Sequence, residues 1–248
     1  MIASEIVTPL LDRRAATLEA TFGHLDAAAV LRYAVTTLFP GQIALTSSFG
    51  ADSAVLLHML STVDRAVPVL FLDTGKLFPE TLTYRDRLVG RFGLRNVRSV
   101  TPLQTTLEAE DPDDFLWSSD PDRCCAVRKV APLAFAIEGF AAWMTGRKRA
   151  HGGLRAHLAV FEAEGFHVKI NPLAAWSPAD VEAYLSAHDI PAHPLVAKGF
   201  RSIGCLPCTS HVRQGENARA GRWRGQGKSE CGIHIAEAMS VALAPAVK

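Results

Sequence analysis

The residues of this chain best suited to chemistry are its five cysteines. Four of them form two tight pairs, Cys124–Cys125 and Cys205–Cys208, which together can supply four thiolates to a zinc ion or an iron–sulfur cluster. Neighbouring cysteines reach the separate irons of a cluster more easily than they reach one small tetrahedral ion. The pattern therefore favours a cluster, with zinc as the alternative. The fifth, Cys231, stands apart near the C-terminus, and a free thiolate is a good nucleophile.

Basic residues precede the lone thiol. Arg219 and Arg222 are three residues apart, close enough to converge on one anion, and a planar guanidinium suits the oxygens of phosphate and sulfate. An ordinary pair of solvated surface cations is the alternative. Together with the segment 229-SECGIH-234, this pattern predicts a thiol nucleophile that attacks an anionic substrate.

The composition is that of an ordinary globular chain. Of the 248 residues, 48% are hydrophobic and 21% are charged, and the net charge of +1 argues against bulk binding of nucleic acid. The N-terminus lacks the basic start and apolar stretch of a signal peptide, and no apolar run approaches the roughly 20 residues of a membrane helix. We therefore expect a cytoplasmic location, where paired cysteines hold metal or do chemistry more often than they form disulfides. The oligomeric state is open, a homo-oligomer included.

Strands and helices alternate along most of the chain. Apolar stretches predict five strands, at 42–49, 67–74, 95–100, 140–146 and 167–173. Helices are predicted over about 52–60, from Pro79, from the first cysteine pair to 139 and from Ser177–Pro178, with an amphipathic lead-in helix over 14–38. The alternation predicts an α/β fold with a mostly parallel sheet and helices on both faces.

The loop 48-SFGADS-53 follows the first predicted strand and opens a helix, which is where parallel sheets bind ligands. Its small residues let backbone N–H groups approach an anion at a helix N-terminus. The loop lacks the lysine of a Walker motif and does not fit GxGxxG. By chemistry alone, an ordinary turn explains it equally well.

Several motifs together resemble one family. The two cysteine pairs, 128-RKVAPL-133, 145-TGRKRA-150, 219-RAGRW-223 and the terminal ECGIH are similar to assimilatory adenylyl-sulfate (APS) reductases, the cluster-bearing subgroup of the sulfonucleotide reductases. The resemblance extends over about residues 41–234, and it implies an adenine nucleotide α-hydrolase-like (Rossmann-like) fold. We expect a helical lead-in at 1–40, a nucleotide- and cluster-binding domain at 41–214 and a flexible catalytic tail at 215–248.

The resemblance also implies an activity, which is the reduction of APS to sulfite and AMP in sulfate assimilation and cysteine biosynthesis. Cys231 becomes an S-sulfocysteine, and thioredoxin or a similar dithiol releases the sulfite. A 4Fe–4S cluster is held by Cys124, Cys125, Cys205 and Cys208. The residues implied in substrate binding are Ser48, Phe49, Gly50, Asp52, Ser53, Asp73, Thr74, Lys129, Arg149, Arg219 and Arg222.

Some of these residues have more specific expected roles. Lys129 is expected between cluster and sulfate, and Arg149 at the nucleotide. Asp73 and Thr74, after the second strand, resemble a segment that meets adenine, although a capping turn explains them equally well. Phe49 stands where the SGGxDS loop of the P-loop-like pyrophosphatase superfamily has its first glycine. A phenylalanine there takes up space, which favours a shorter anionic tail than that of ATP.

The chain also departs from the family pattern. His151 stands where a glutamine is usual, and Arg224 stands where a further tryptophan is frequent. The nearest alternative is a phosphoadenylyl-sulfate (PAPS) reductase, which is disfavoured because 48-SFGADS-53 offers no arginine for a 3′-phosphate. More remote alternatives are an ATP-dependent enzyme that thiolates RNA and a non-enzymatic iron–sulfur or zinc sensor.

Overall fold

A computed structural model describes residues 2–234, with side chains from residue 9 onwards. Residues 235–248 of the predicted tail lie outside the described part. Six strands form one sheet in the order β3-β2-β1-β4-β6-β5, and every pairing is parallel except the β5–β6 hairpin at one edge. The strands are β1 (Ile43–Ser47), β2 (Val69–Leu72), β3 (Val97–Val100), β4 (Ala142–Met144), β5 (Phe161–Glu164) and β6 (His167–Ile170).

The helices carry most of the remaining described chain. They are α1 (Ile2–Phe22), α2 (Ala27–Tyr33), α3 (Ser53–Val63), α4 (Pro79–Phe92), α5 (Gln104–Glu110), α6 (Leu116–Ser119), α7 (Pro121–Cys125), α8 (Ala131–Ala136) and α9 (Pro178–Ala187). Wider π-helical turns extend α2 over Ala34–Leu38 and join α7 to α8 over Ala126–Val130. No helix in residues 2–234 is long and apolar enough to span a membrane.

The expectation of one lead-in helix over 14–38 is wrong. The helix that contains residue 14 begins at Ile2 and ends at Phe22, and a second helix starts after a turn. The carboxylate of Asp26 accepts a hydrogen bond from the N–H of Ala29 (2.8 Å), which caps the new helix. The apolar residues continue at helical spacing across this turn, so periodicity alone does not reveal the break.

The sheet is covered on both faces, as predicted. On one face, α3, α4 and α9 pack over the strands in the larger core. On the other, Val130, Leu133 and Ile137 meet Leu70 and Trp143 in a second cluster. Strand β2 is wholly apolar and buried, and β1 is almost wholly buried, because a central parallel strand has no solvent-facing side.

The strand order places a crevice at the sheet's carboxyl edge. From β1 the chain adds β2 and β3 on one side and then returns to add β4 on the other, and α/β sheets bind ligands at such a reversal of strand order. The predicted Ser177 cap of α9 is present as a capping box with Asp180, and it fixes one wall of the crevice.

Helix α1 packs along β5, one of the two edge strands. The Glu19 carboxylate accepts a hydrogen bond from the N–H of Phe161 at 2.8 Å. β5 was not predicted, because 161-FEAE-164 is short and half polar and its strand character depends on pairing with β6.

Candidate active site

A cavity of about 700 Å³ opens at the carboxyl ends of β1 and β4. Its walls come from the loop after β1, the segment after β4, one side of α9 and residues 201–204. The segment 218–234 of the predicted tail contributes another wall, so the tail is folded over the cavity. Of the residues predicted to bind substrate or react, eight line it: Ser48, Gly50, Asp52, Ser53, Lys129, Arg219, Arg222 and Cys231.

Phe49 points away from the cavity. Its φ is +47°, a left-handed value that favours glycine, and its fully buried ring packs edge-on against Phe71 with centroids 5.3 Å apart. The expectation that Phe49 takes up substrate space is therefore wrong. The backbone has the conformation of a glycine loop, and the side chain belongs to the core. Gly50 is needed for space, since a Cβ there would lie 3.0 Å from the carbonyl oxygen of Ile203.

Asp52 is held by two basic side chains. Its carboxylate lies 3.0 Å from Lys148 Nζ and 3.8 Å from His151 Nε2. Burial raises the pKa of Asp52, but the His151 hydrogen bond and the Lys148 charge outweigh it and bring the pKa to about 2. The loop after β1 is thus fixed to the segment after β4 by an ion pair between a buried lysine and a partly exposed aspartate.

The two residues predicted to meet adenine do not line the cavity. The Asp73 carboxylate accepts from the N–H of Gly75 (3.1 Å), which is the turn arrangement of the alternative interpretation. Thr74 is fully buried, and its hydroxyl lies 3.3 Å from Cys205 Sγ. Thr74 therefore supports the cysteine site.

The four paired cysteines are brought together. All four are buried and line one small pocket beside Lys129, with Cys124 and Cys125 coming from α7, Cys208 from the Leu206–Cys208 turn and Cys205 from the residue before it. Burial raises the pKa of Cys124 to about 11 and that of Cys125 to about 12. Burial also raises the pKa of Cys205, but the Lys129 charge and the Thr74 hydroxyl outweigh it and lower this pKa.

The donor set fits an iron–sulfur cluster, because four reduced thiols in one pocket are its usual soft ligands. Among residues 2–234, no three His, Cys, Asp or Glu side chains are arranged to hold a single metal ion. Buried Arg128 supports the pocket: it pairs with Asp111 (2.7 Å) and Asp114 (2.6 Å) and donates to the Thr74 carbonyl (3.0 Å). The π-helical turn after α7, the loop after α5 and the end of β2 are thereby held together.

Lys129, Arg222 and Cys231 meet on one wall of the cavity. Lys129 lies in the π-helical turn. Burial alone lowers its pKa, but the nearby thiols of Cys205, Cys231 and Cys125 outweigh burial, so the pKa rises overall. The Arg222 guanidinium lies over the Trp223 ring, 4.2 Å from its centroid. Within the described chain, neither cation forms an ion pair with a carboxylate, so both charges are available to an anion.

Arg219 is already engaged. Its Nη2 lies 3.2 Å from the Glu230 carboxylate and donates to the Ser229 carbonyl at 2.7 Å. Burial, followed by the nearby charge of Arg155, lowers the pKa of Arg219 to about 10. Its guanidinium lines the cavity while it organises the tail.

Arg149, which was predicted to meet the nucleotide, lies outside the cavity wall. Arg149 is exposed and does not line the cavity, and its Nε donates to the Leu158 carbonyl at 2.7 Å. Arg147 and Lys148 line the cavity instead. Their position in the sequence could have identified them, because they follow β4 almost directly and α/β sheets bind ligands at that edge.

Three further residues of the cavity wall, Arg155, Glu230 and His234, were not among the predicted site residues, and neither was Trp143 behind His234. The rings of His234 and Trp143 are stacked with centroids 6.0 Å apart, and His234 Nδ1 is buried without a hydrogen-bond partner. Burial lowers the pKa of His234 well below its ordinary value, which keeps the imidazole neutral. Arg155 and Glu230 form a buried pair. The ECGIH motif contains two of these residues, whereas nothing local marks Arg155 or Trp143.

Residues 42–211 match the family model of the phosphoadenosine phosphosulfate reductase domain. The chain belongs to this family. A Mesorhizobium japonicum protein named adenosine 5'-phosphosulfate reductase is 52% identical over 222 residues, covering 90% of this chain and 87% of its own. A Gloeobacter violaceus protein named phosphoadenosine 5'-phosphosulfate reductase is 40% identical, covering 79% and 83%.

The fold comparison agrees with this assignment. The crystal structure of phosphoadenylyl-sulfate (PAPS) reductase from Candida auris, a phosphate complex, superimposes with a TM-score of 0.66 at 30% identity, over 80% of this chain and 96% of that one. The predicted fold class is thus confirmed. In this member of the phosphosulfate reductase family, Lys129 lines both the cysteine pocket and the cavity that contains Cys231.

Proposed function

We propose that this chain is an adenylyl-sulfate reductase, which converts APS to sulfite and AMP in sulfate assimilation. One observation carries the proposal: the Cys231 thiol shares a cavity wall with Lys129 and Arg222, two cations free of carboxylate partners in the described chain. A phosphosulfate needs cations, and its sulfur needs a nucleophile. The similarity to proteins named adenosine 5'-phosphosulfate reductase supports this choice.

The chemistry requires two displacements. First, the Cys231 thiolate attacks the sulfate sulfur, the bond from sulfur to the bridging oxygen breaks, and AMP leaves with that electron pair. Lys129 and Arg222 stabilise the negative oxygens. Next, a thiolate of a dithiol donor attacks Cys231 Sγ and sulfite leaves with the electron pair. The donor's second thiol then resolves the mixed disulfide, so the donor is oxidised by two electrons and Cys231 is regenerated.

We assign the donor to thioredoxin or a similar dithiol protein, and the reaction to the cytoplasm. Both rest on the chemistry of the site. Five free cysteines must stay reduced, and a reducing compartment with a dithiol carrier provides that condition.

We assign the four paired cysteines to a 4Fe–4S cluster. When bound, the cluster shapes the electrostatic field beside the sulfate and is not assigned a role in carrying electrons. Thr74 and Lys129 support its Cys205 ligand through the contacts described above. Lys129, between the cysteines and the cavity, connects this site to the substrate.

A PAPS reductase is the second candidate, and a specific residue favours it. Arg201 lies on the cavity wall and offers a cation that the loop after β1 lacks. Since Phe49 leaves the cavity free, it does not restrict the size of the substrate. Sulfite production should be measured with APS and PAPS side by side, using anaerobically purified protein and a dithiol. We expect the larger kcat/KM for APS, and a larger value for PAPS would reverse the assignment.

The decisive experiment concerns Cys231. Protein mixed with APS without reductant should gain the mass of one sulfo group on the peptide that carries Cys231 and release one equivalent of AMP. Cys231→Ser should bind APS and form no sulfite, since a hydroxyl is hardly ionised near neutral pH and no thiol can reduce a sulfate ester. A sulfo group on Cys205 or Cys208, or full activity of the serine variant, would exclude Cys231 as the nucleophile.

A further inference from the structure

Glu230, the residue before the lone thiol, is held by two arginines. Its two carboxylate oxygens accept from one guanidinium, with Arg155 Nε at 2.6 Å and Nη2 at 2.7 Å. Arg219 adds a third contact at 3.2 Å. The Glu230 and Arg155 side chains are each only 9% exposed, so the pair is shielded from solvent. Bidentate pairs of this kind fix geometry as well as charge.

Arg155 is itself oriented by His151. Its Nη1 lies 3.0 Å from His151 Nδ1, and a guanidinium can only donate, so this ring nitrogen accepts. The other nitrogen, Nε2, therefore carries the hydrogen of the neutral ring and faces the Asp52 carboxylate at 3.8 Å. A continuous series of contacts runs from the loop after β1, through His151 and Arg155, to the residue beside Cys231.

We propose that Glu230 is a positioning residue: its pair with Arg155 closes the tail and holds the Cys231 thiol at the anion-binding wall, and His151 keeps Arg155 in place. The catalytic consequence rests on the proposed function. Closure of the tail by the Glu230–Arg155 pair does not depend on that function. Glu230 and Cys231 are joined by one peptide unit, so a shift of the first moves the second. Removing the carboxylate also leaves the Arg155 charge buried without its main partner, which favours an open tail.

The tail has a second attachment to the rest of the protein. Loss of the Glu230–Arg155 pair should therefore loosen the tail without unfolding it. Lys228 forms an ion pair with Asp122 of α7 and lies 5.8 Å from the Trp223 ring centroid. Trp223 is buried against Cys205 and Cys208. These contacts hold the start of the tail on the cysteine side of the cavity when Glu230 is released.

The first test needs no substrate. The alkylation rate of Cys231 by iodoacetamide is measured on the anaerobically purified holoprotein, with the label assigned by peptide mass. Glu230→Gln keeps the shape and removes the charge, and we expect Cys231 to react roughly tenfold faster. Glu216→Gln is the matched control, because Glu216 pairs with Arg224 in the same segment and does not line the cavity. It should stay within twofold of wild type.

Two more variants define the geometry. Glu230→Asp keeps the charge one methylene further from Arg155 and should give an intermediate alkylation rate, which distinguishes the pair from mere packing. His151→Ala removes the support of Arg155 and should speed alkylation in the same direction, though less. If Glu230→Gln reacts at the wild-type rate, the closure is overturned. An unchanged alkylation rate of Cys231 in His151→Ala would show that His151 does not contribute to the closure.

The second test measures catalysis. With APS and reductant, Glu230→Gln should lower kcat roughly tenfold and change KM less than twofold, because the thiol is misplaced while the cations remain. Glu230→Asp should recover part of kcat. If wild type itself forms no sulfo-Cys231, the proposed function fails while the alkylation result still decides the closure. If wild type turns over and Glu230→Gln matches it in kcat, the positioning role is refuted.

Discussion

The guanidinium of Arg222 occupies the space that a Cβ at Gly204 would need. Gly204 directly precedes the second cysteine pair, and Arg222 also lies over Trp223 and has its Nε 3.3 Å from the Cys208 carbonyl. The missing side chain of residue 204 is thus what lets the tail arginine reach the wall shared by the cysteines and the cavity.

Gly204→Ala should displace Arg222 while leaving the fold intact, because the clashing atoms are the flexible end of a side chain. We expect kcat/KM for APS to fall roughly tenfold, the effect of losing one charge-assisted contact. Gly90→Ala is the control, since nothing lies within 4 Å of its added Cβ. That change in α4 should leave the kinetics unaltered and raise stability by about 0.5–1 kcal/mol. Wild-type kinetics in Gly204→Ala would show that the position of Arg222 is unimportant.

Removing either unpaired cation should weaken turnover directly. Lys129→Ala and Arg222→Ala should each lower kcat/KM for APS roughly ten- to a hundredfold, because each loses a charge-assisted contact of about 1.5–3 kcal/mol in a closed site. Arg224→Ala serves as comparison: this exposed arginine pairs with Glu216 away from the cavity. The measurement is steady-state kinetics of each variant. If the loss of a cation changes kcat/KM less than twofold, that cation is only a surface charge.

The cysteine pocket should hold iron and sulfide. Protein purified without oxygen should be brown, and Cys205→Ser or Cys125→Ser should lose both the visible absorbance and the iron. These variants should also unfold at lower temperature, since binding of the group is coupled to folding. Cys231→Ser should keep the full iron content. Colourless protein with stoichiometric zinc, measured by elemental analysis, would falsify the cluster assignment.

Stability should fall in mild acid because of His193. This buried ring accepts from the N–H of Leu195 at Nδ1 (3.1 Å), with Thr81 Oγ1 3.1 Å from Nε2, so the folded protein has no place for a second ring proton. Burial lowers the pKa of His193 to about 4, although the Glu80 charge opposes the shift.

Between pH 6.5 and 4 the unfolded chain therefore binds a proton that the folded chain does not. The free energy of unfolding should decrease as the pH falls through this window, by on the order of 3 kcal/mol at pH 4 from this residue. His193→Asn removes the titrating group and should flatten the pH dependence measured by urea unfolding. Curves of equal slope for the variant and wild type would contradict the assignment.

The fold was predictable where one cause dominated. Central strands such as β1 and β2 are buried on both faces, so their apolar runs are visible in the sequence. Edge strand β5 depends on its partner, and the break after Phe22 depends on one turn, so neither was foreseen.

The chemistry of the site was predictable by residue type, but its geometry was not. Spacing identified the cysteines and Cys231. The direction of Phe49 depends on the sign of φ, and the choice between Arg149 and Arg147 depends on which side chain faces the crevice. The Arg155–Glu230 pair joins residues 75 positions apart, and such a contact leaves no local pattern.

The bond between Glu19 and Phe161 has a consequence for how these molecules behave in a crowded solution. The outermost strand of a sheet is a template to which a strand of another chain can add, which is a common start of aggregation. Here α1 lies along β5, and the Glu19 carboxylate accepts a hydrogen bond from a backbone N–H of that strand. The first helix of the chain, distant from all the chemistry, thus helps to keep one copy of the enzyme from adhering to the next.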